Sequence, residues 1–130
     1  MVTSAYAGAV RVLVVDGANV VGSRPDGWWR DRAGAARRLW EQVVAADLPY
    51  DEVVVVLEGA AKKGVPAGRK GDVLTLHAAG SGDAAIVEAA ETRSVAGWDV
   101  TVVTADRGLR ARVENVQARV LGPSWLLDRL

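Results

Sequence analysis

The chain of 130 residues contains no cysteine. That excludes disulfide frameworks, thiolate metal sites and cysteine nucleophiles together. Its one histidine, His77, excludes a histidine-cluster metal site. Any metal would have to be held by oxygen, and oxygen ligands favour Mg2+ or Mn2+. Net charge is also lacking, with 16 Lys and Arg against 16 Asp and Glu. Bulk electrostatics therefore argue neither for nor against nucleic acid; only local clustering can. No apolar run approaches the ~20 residues of a membrane helix. The opening MVTSAYAGAV lacks the charged start and long apolar stretch of a signal peptide. A cytoplasmic protein with no membrane partner is expected. Phenylalanine is absent too, yet 50% of the residues are apolar, enough to bury a core and too many for a disordered chain. The length suits one domain spanning residues 1–130.

What is present is an alternation of short apolar runs with longer helical stretches. RVLVVD (11–16) is a continuous Val/Leu run, as in a strand covered on both faces. AGAARRLWEQVVAAD (33–47) places Ala36, Leu39, Trp40, Val43 and Val44 at helical spacing. DEVVVVLEG (51–59) is a second strand, and VLTLHAA (73–79) a third. The stretch between them, AAKKGVPAGRKGD (60–72), reads as a loop, because it holds four glycines or prolines and four cations. GSGDAAIVEAAETRSVAG (80–97) opens on a serine that can cap a helix and closes on a glycine that can stop one. WDVTVVTAD (98–106) is a fourth strand, RGLRARVENV (107–116) a short helix, ARVLG (118–122) a fifth strand, and PSWLLDRL (123–130) a final helical turn or two. Strands alternating with helices imply parallel pairing and right-handed crossovers. The expected fold is α/β, a mostly parallel sheet of about five strands. In such sheets ligands bind beyond the carboxyl ends of the strands.

The acidic residues fall where that rule has consequences. Asp16 ends strand one, Glu58 ends strand two, Asp106 follows strand four, and Asp83 opens the helix after strand three. Four carboxylates from distant parts of the chain are thus sent to one sheet edge. Held close, they repel one another unless a cation lies among them. Each also has a role that needs no ligand. An Asp after a strand caps helices and forms turns, Asp83 suits the positive end of a helix, Glu58 could pair with Lys62 or Lys63, and Asn19 could be a left-handed loop residue. Convergence of all four is what those roles leave unexplained. By contrast Asp47, Asp51 and Asp72 precede strands and belong to the opposite edge.

VVDGANVVGS, GSGDAAIVEAAE and VTVVTADRGLRARV resemble, in order and over nearly the whole chain, the motifs of PIN-like nucleases, specifically the NYN branch that includes the YacP-type bacterial proteins. The resemblance implies a three-layer α/β/α sandwich with a parallel sheet in order 3-2-1-4-5, and metal-dependent cleavage of RNA. It places Asp16, Asp83 and Asp106 in the family's acidic metal cluster, with Asn19 as the polar residue beside it. Glu58 stands where many NYN members have an Asp, in a "DG" pair. The chain is short for the family, so substrate-gripping extensions are expected to be missing or to come from a protein partner.

Carboxylate-held Mg2+ or Mn2+ lowers the pKa of bound water and neutralises charge on an attacked phosphate, so no side-chain nucleophile is required. Asn19, Ser81 and Thr104 are candidates to hydrogen-bond the carboxylates, water or phosphate. Lys62, Lys63, Arg69 and Lys70 in the 60–72 loop are candidates to grip single-stranded or structured RNA, or else form a solvated loop. Arg24, Arg30 and Arg32 could frame the same cleft, and Arg107 could hold a carboxylate or a phosphate. Of the adjacent Trp28 and Trp29, one could stack on a base, pack in the core or make a homodimer contact.

Other phosphate chemistries fit less well. A D-x-D phosphatase motif is broken by Ala18, and neither a G-x-x-x-x-G-K-[ST] nor a G-x-G-x-x-G follows strand one. A response-regulator receiver lacks its acidic pair and its late lysine. A small-nucleotide phosphohydrolase on the same acidic cluster, and a catalytically inactive RNA-binding or toxin–antitoxin-like interaction module, remain as alternatives.

Overall fold

The structure is a computed structural model that describes residues 9–130. Most of the segment read for a signal peptide lies outside the described residues. Six strands form one sheet: β1 (Arg11–Asp16), β2 (Glu52–Leu57), β3 (Gly68–Lys70), β4 (Val73–His77), β5 (Asp99–Val103) and β6 (Arg119–Leu121). Their order is β3-β4-β2-β1-β5-β6. All pairings are parallel except that of β3 with β4. Without β3 this is the expected 3-2-1-4-5 order. The sixth strand is a correction. The stretch read as one loop folds into a 3-10 turn (Gly59–Gly64) and a three-residue antiparallel edge strand. A glycine-rich, charged sequence can still pair at an edge, where one strand face and one row of backbone groups stay in water.

Five helices cover the sheet: α1 (Gly17–Gly22), α2 (Arg32–Ala45), α3 (Gly82–Val95), α4 (Arg107–Glu114) and α5 (Pro123–Leu127). Alternation along β1 and β2 divides the core in two. Leu13, Val15, Val53, Val55 and Leu57 pack against Val20 of α1, Ala36, Leu39 and Val43 of α2, and Leu126 of α5. Val12, Val14, Val54 and Val56 pack against Ile86, Ala89 and Ala90 of α3 and Leu109 and Val113 of α4. Each fully buried Val or Leu contributes about 1.5–3 kcal/mol relative to exposure, which is why central strands with both faces covered are apolar throughout. The partner helices are amphipathic for the same reason: in α2, Arg37, Arg38, Glu41 and Gln42 remain exposed.

The sheet is also tied at its strand-start edge. Glu52, 5% exposed, accepts from Arg69 Nη2 at 2.6 Å and from Arg93 Nε at 2.7 Å. Burial alone would raise its pKa, but the two guanidinium groups outweigh it and hold the carboxyl below its usual value. Arg69 thereby anchors β3 and Arg93 anchors α3. Lys70 lies over the Trp40 ring, 5.5 Å from its centroid. No helix among the described residues is long and apolar enough to cross a membrane.

Candidate functional site at the carboxyl edge of the sheet

The register fixes the centre of the site. Val15 pairs with Val103 across β1 and β5, so Asp16 and Thr104, the next residue of each segment, lie side by side. Thr104 donates its hydroxyl to Asp16 Oδ2 at 2.8 Å. The Thr104 hydroxyl oxygen in turn accepts the Asp106 backbone N–H at 3.1 Å. One buried hydroxyl thus joins the ends of β1 and β5. Asn19 adds a second tie, its Oδ1 accepting the Ala105 N–H at 2.7 Å. Asn19 belongs to the first turns of α1 rather than to a left-handed loop.

Asp16 is 6% exposed. Its Oδ1 accepts the Asn19 N–H at 3.3 Å, capping α1. Burial pushes its pKa above the usual carboxylate value; the hydrogen bonds from Thr104 and Asn19 oppose the shift, while the charges of Asp83 and Glu58 add to it. Asp83, in the first turn of α3, and Glu58, just past β2, therefore act on the same carboxylate.

Gly17 explains how α1 starts so abruptly. A Cβ there would stand 2.5 Å from the Val56 carbonyl oxygen and 2.9 Å from Leu57 Cδ2. Only glycine lets the first turn of the helix lie this close to β2.

Glu58 has a role that the local sequence assigns to Ser81. Ser81 occupies the N-cap position of α3 but makes no side-chain capping bond. Instead Glu58 Oε2, 24 residues away, accepts the Gly82 N–H at 3.1 Å. This corrects the expected serine cap, and a carboxylate at a helix N-terminus is the stronger electrostatic choice. Neither Lys62 nor Lys63 pairs with Glu58 in an ion pair among the described residues. Asp106 is exposed and caps α4, its Oδ1 accepting the Leu109 N–H at 2.8 Å. Among the described residues, no three acidic or histidine side chains stand grouped as a ready ion cage. The acids form a line rather than the close cluster expected: Glu58 and Asp83 bear on Asp16 through their charges, and Asp106 is joined to it through Thr104.

The cations proposed for RNA separate. Lys62 reaches the carboxyl edge, its Nζ donating to the Ala78 carbonyl at 3.0 Å, and Lys63 beside it is exposed. Arg69 and Lys70 are carried by β3 to the strand-start edge, where Glu52 and Trp40 engage them. Arg24 donates to Gln42 on α2 at 2.6 Å, and Arg107 is exposed at the start of α4. His77 does ordinary strand-end work. Its Nε2 lies 2.7 Å from the Val65 carbonyl, so that nitrogen carries the hydrogen.

A cleft of about 330 Å³ opens beside the carboxylates. It runs from Gly17 and Ala18 to Glu58 and is walled by Trp28, Arg32 and Leu57. Trp28 is half-buried against the core, whereas Trp29, set edge-on to it at 6.0 Å between ring centroids, is 54% exposed. The cleft was the part of the site least visible in the sequence. The signals were the adjacent tryptophan pair after strand one and the arginines near it, of which Arg32 lines the cleft.

No family model matches the chain, and no curated protein sequence matches it significantly. Its structure is similar to the crystal structure of Rae1 (YacP) from Bacillus subtilis, with a TM-score of 0.68 over 92% of this chain and 74% of that one, at 17% sequence identity. At that identity the likeness concerns the fold. The chain has the three-layer α/β fold of a YacP protein, the architecture that its DGAN, SGD and TAD motifs imply.

Proposed function

We propose that the protein is a metal-dependent ribonuclease that hydrolyses RNA phosphodiester bonds at the carboxyl edge of the sheet. One observation carries this reading. A buried carboxylate, Asp16, whose pKa burial raises, lies in the field of Glu58 and Asp83 and is joined to Asp106 through Thr104. Helix capping accounts for one oxygen each of Asp16 and Asp106. It does not account for burying Asp16 in the field of two further acids, which costs stability. The fold shared with a YacP protein and the resemblance of the motifs to PIN-like nucleases support the same reading.

The donor set suits a hard cation. All the candidate ligands are oxygens, and Mg2+ commonly binds through one or two carboxylates while keeping several waters. Asp16 and Asp83 would hold it, with Asp106 beside them. When bound, such an ion activates water and neutralises charge on phosphate. The chain's own groups do the rest. Thr104 holds Asp16 in its rotamer and, by donating to it, favours its ionised form against the effect of burial. Asn19 ties the two strand ends, and its side-chain N–H groups, without a hydrogen bond among the described residues, would serve a phosphate oxygen. Lys63, Arg30, Arg32 and Arg107 are exposed cations that could steer a polyanion, and a cytoplasmic setting fits an RNA substrate.

The test is purified protein on unstructured RNA with Mn2+ or Mg2+. Cleavage abolished by EDTA and largely lost in Asp16→Asn, with the fold retained, is the expected result. Binding without cleavage that Asp16→Asn leaves unchanged would instead identify an inactive interaction module. Phosphate or pyrophosphate released from free nucleotides, with RNA intact, would identify a small-nucleotide phosphohydrolase.

A further inference from the structure

We infer that the cleft between α1 and the end of β2 is a nucleobase subsite, in which Trp28 stacks one base and Glu58 reads its N–H edge, favouring guanine. This deepens the ribonuclease reading and rests on it for the substrate. Four features carry it. The cleft measures about 330 Å³, at the small end of the ~300–1,000 Å³ typical of ligand pockets, a size for one nucleoside rather than a folded partner. It is lined by Gly17, the residue after Asp16, and by Glu58, so it shares one acid with the carboxylate line. Its wall combines an aromatic ring with a planar cation: the Arg32 guanidinium lies over the Trp28 ring, 5.2 Å from its centroid, so a base entering the cleft stacks against this arginine–tryptophan pair. Aromatic and guanidinium planes are the surfaces on which proteins stack unpaired bases. Arg32 forms no ion pair among the described residues, which leaves its charge for a flanking phosphate.

The fourth feature is the single carboxylate of the lining. Glu58 offers only acceptors. One oxygen takes the Gly82 N–H, and the other has no hydrogen bond from the protein among the described residues. A carboxylate facing a base selects N–H donors, and guanine alone presents two neighbouring ones, the ring imino and the exocyclic amino groups. This assigns Glu58 to substrate recognition rather than to the ion. It also accounts for glutamate at this position: the longer side chain reaches both Gly82 and the cleft mouth.

The experiment needs no catalysis. Each of the four nucleoside monophosphates, and ribose 5-phosphate, is titrated in EDTA into 15N-labelled protein while the indole N–H signals are followed. Guanosine monophosphate is expected to move the Trp28 signal, identified by its loss in Trp28→Phe, and to bind roughly tenfold tighter than the pyrimidine nucleotides. Trp28→Ala should weaken it roughly tenfold or more, with Trp28→Phe keeping most of the affinity. Glu58→Gln should remove the preference for guanine while leaving stacking in place. Equal binding of all five compounds, or shifts that leave Trp28 unmoved, would overturn the subsite. RNA cleavage that persists unchanged in Trp28→Ala, without base preference, would also overturn it and leave the ribonuclease reading standing. Trp28-dependent nucleotide binding without RNA cleavage supports the subsite and sinks the ribonuclease reading instead.

Discussion

Replacing Thr104 by valine removes one hydroxyl from a side chain that is 2% exposed and keeps its shape. Two bonds go with it: the donation to Asp16 Oδ2 at 2.8 Å and the acceptance from the Asp106 N–H at 3.1 Å. The second is cheap, because Asp106 is exposed and water can replace the acceptor. The first is costly, because Asp16 is buried and a hydrogen bond to a charged group is worth about 1.5–3 kcal/mol. Thr104→Val should therefore destabilise the protein by about 2–3 kcal/mol at neutral pH, a fall in Tm of roughly 6–12 °C for a domain of this size.

The pH dependence makes the argument refutable. Asp16 already has a pKa raised by burial, and the Thr104 bond is the larger of the two effects that hold it down. Removing that bond raises it further. A carboxyl whose folded pKa exceeds its unfolded value stabilises fully only below the unfolded value, here near 3.8, and that stability is lost as pH rises through the folded value. The penalty of Thr104→Val should thus be largest at pH 7 and shrink towards about 1 kcal/mol near pH 4, where Asp16 becomes protonated and only a neutral bond is missing. Urea denaturation at both pH values measures this, with Thr104→Ser, which keeps the hydroxyl, as the control. In an Asp16→Asn background the substitution should cost no more than about 1 kcal/mol. A penalty equal at the two pH values, or undiminished in that background, would show that Thr104 acts through packing and not through the Asp16 charge.

The remaining expectations are more compact. Arg93→Ala breaks the buried side of the Glu52 pairing and should cost about 3–5 kcal/mol, whereas Arg69→Ala, whose side chain is 57% exposed, should cost about 1 kcal/mol or less; thermal melts compare them. Because Glu52 has a lowered pKa, its contribution is present above the unfolded value of 4.5 and should fade as pH falls below it, which a melting series from pH 7 to 3 reveals. Gly17→Ala should destabilise by about 1–3 kcal/mol through the clash with the Val56 carbonyl, despite alanine's better helix propensity, and a neutral or stabilising result would refute that close approach. Millimolar Mn2+ should raise the Tm of the native protein by mass action and leave Asp16→Asn nearly unmoved; a melting temperature indifferent to the ion would count against the carboxylate line as a metal site. Lys63→Ala should weaken RNA binding and reduce its salt slope, whereas Arg69→Ala should do neither.

The division between sequence and tertiary structure follows from the range of the forces involved. Apolar runs and helical periodicity are local signals, and the sequence by itself determined the five main strands, the long helices α2 and α3, and the edge on which Asp16, Glu58, Asp83 and Asp106 emerge; the order of the strands in the sheet was what the resemblance to PIN-like nucleases implied. Topology converts strand ends into one edge, so the shared edge was legible before any coordinate, whereas the close grouping expected of the carboxylates is not formed among the described residues. Local rules failed where a distant group replaced a near one. Ser81 sits at the cap of α3, yet Glu58, arriving from β2, takes the Gly82 N–H, because sheet order puts the end of β2 beside the start of α3. Arg69 and Lys70 look like companions of Lys62 and Lys63 in one basic loop, yet β3 pairs antiparallel with β4 and carries them to the opposite edge, where buried Glu52 claims Arg69. Nothing within reach of Glu52 in sequence announces Arg93, 41 residues on. The bond from Thr104 to Asp16 spans 88 residues and exists only because β1 and β5 pair in one register. Which residues reach an edge depends on period and chain order; which atoms meet there depends on register and packing, and those arise only when the whole sheet is assembled.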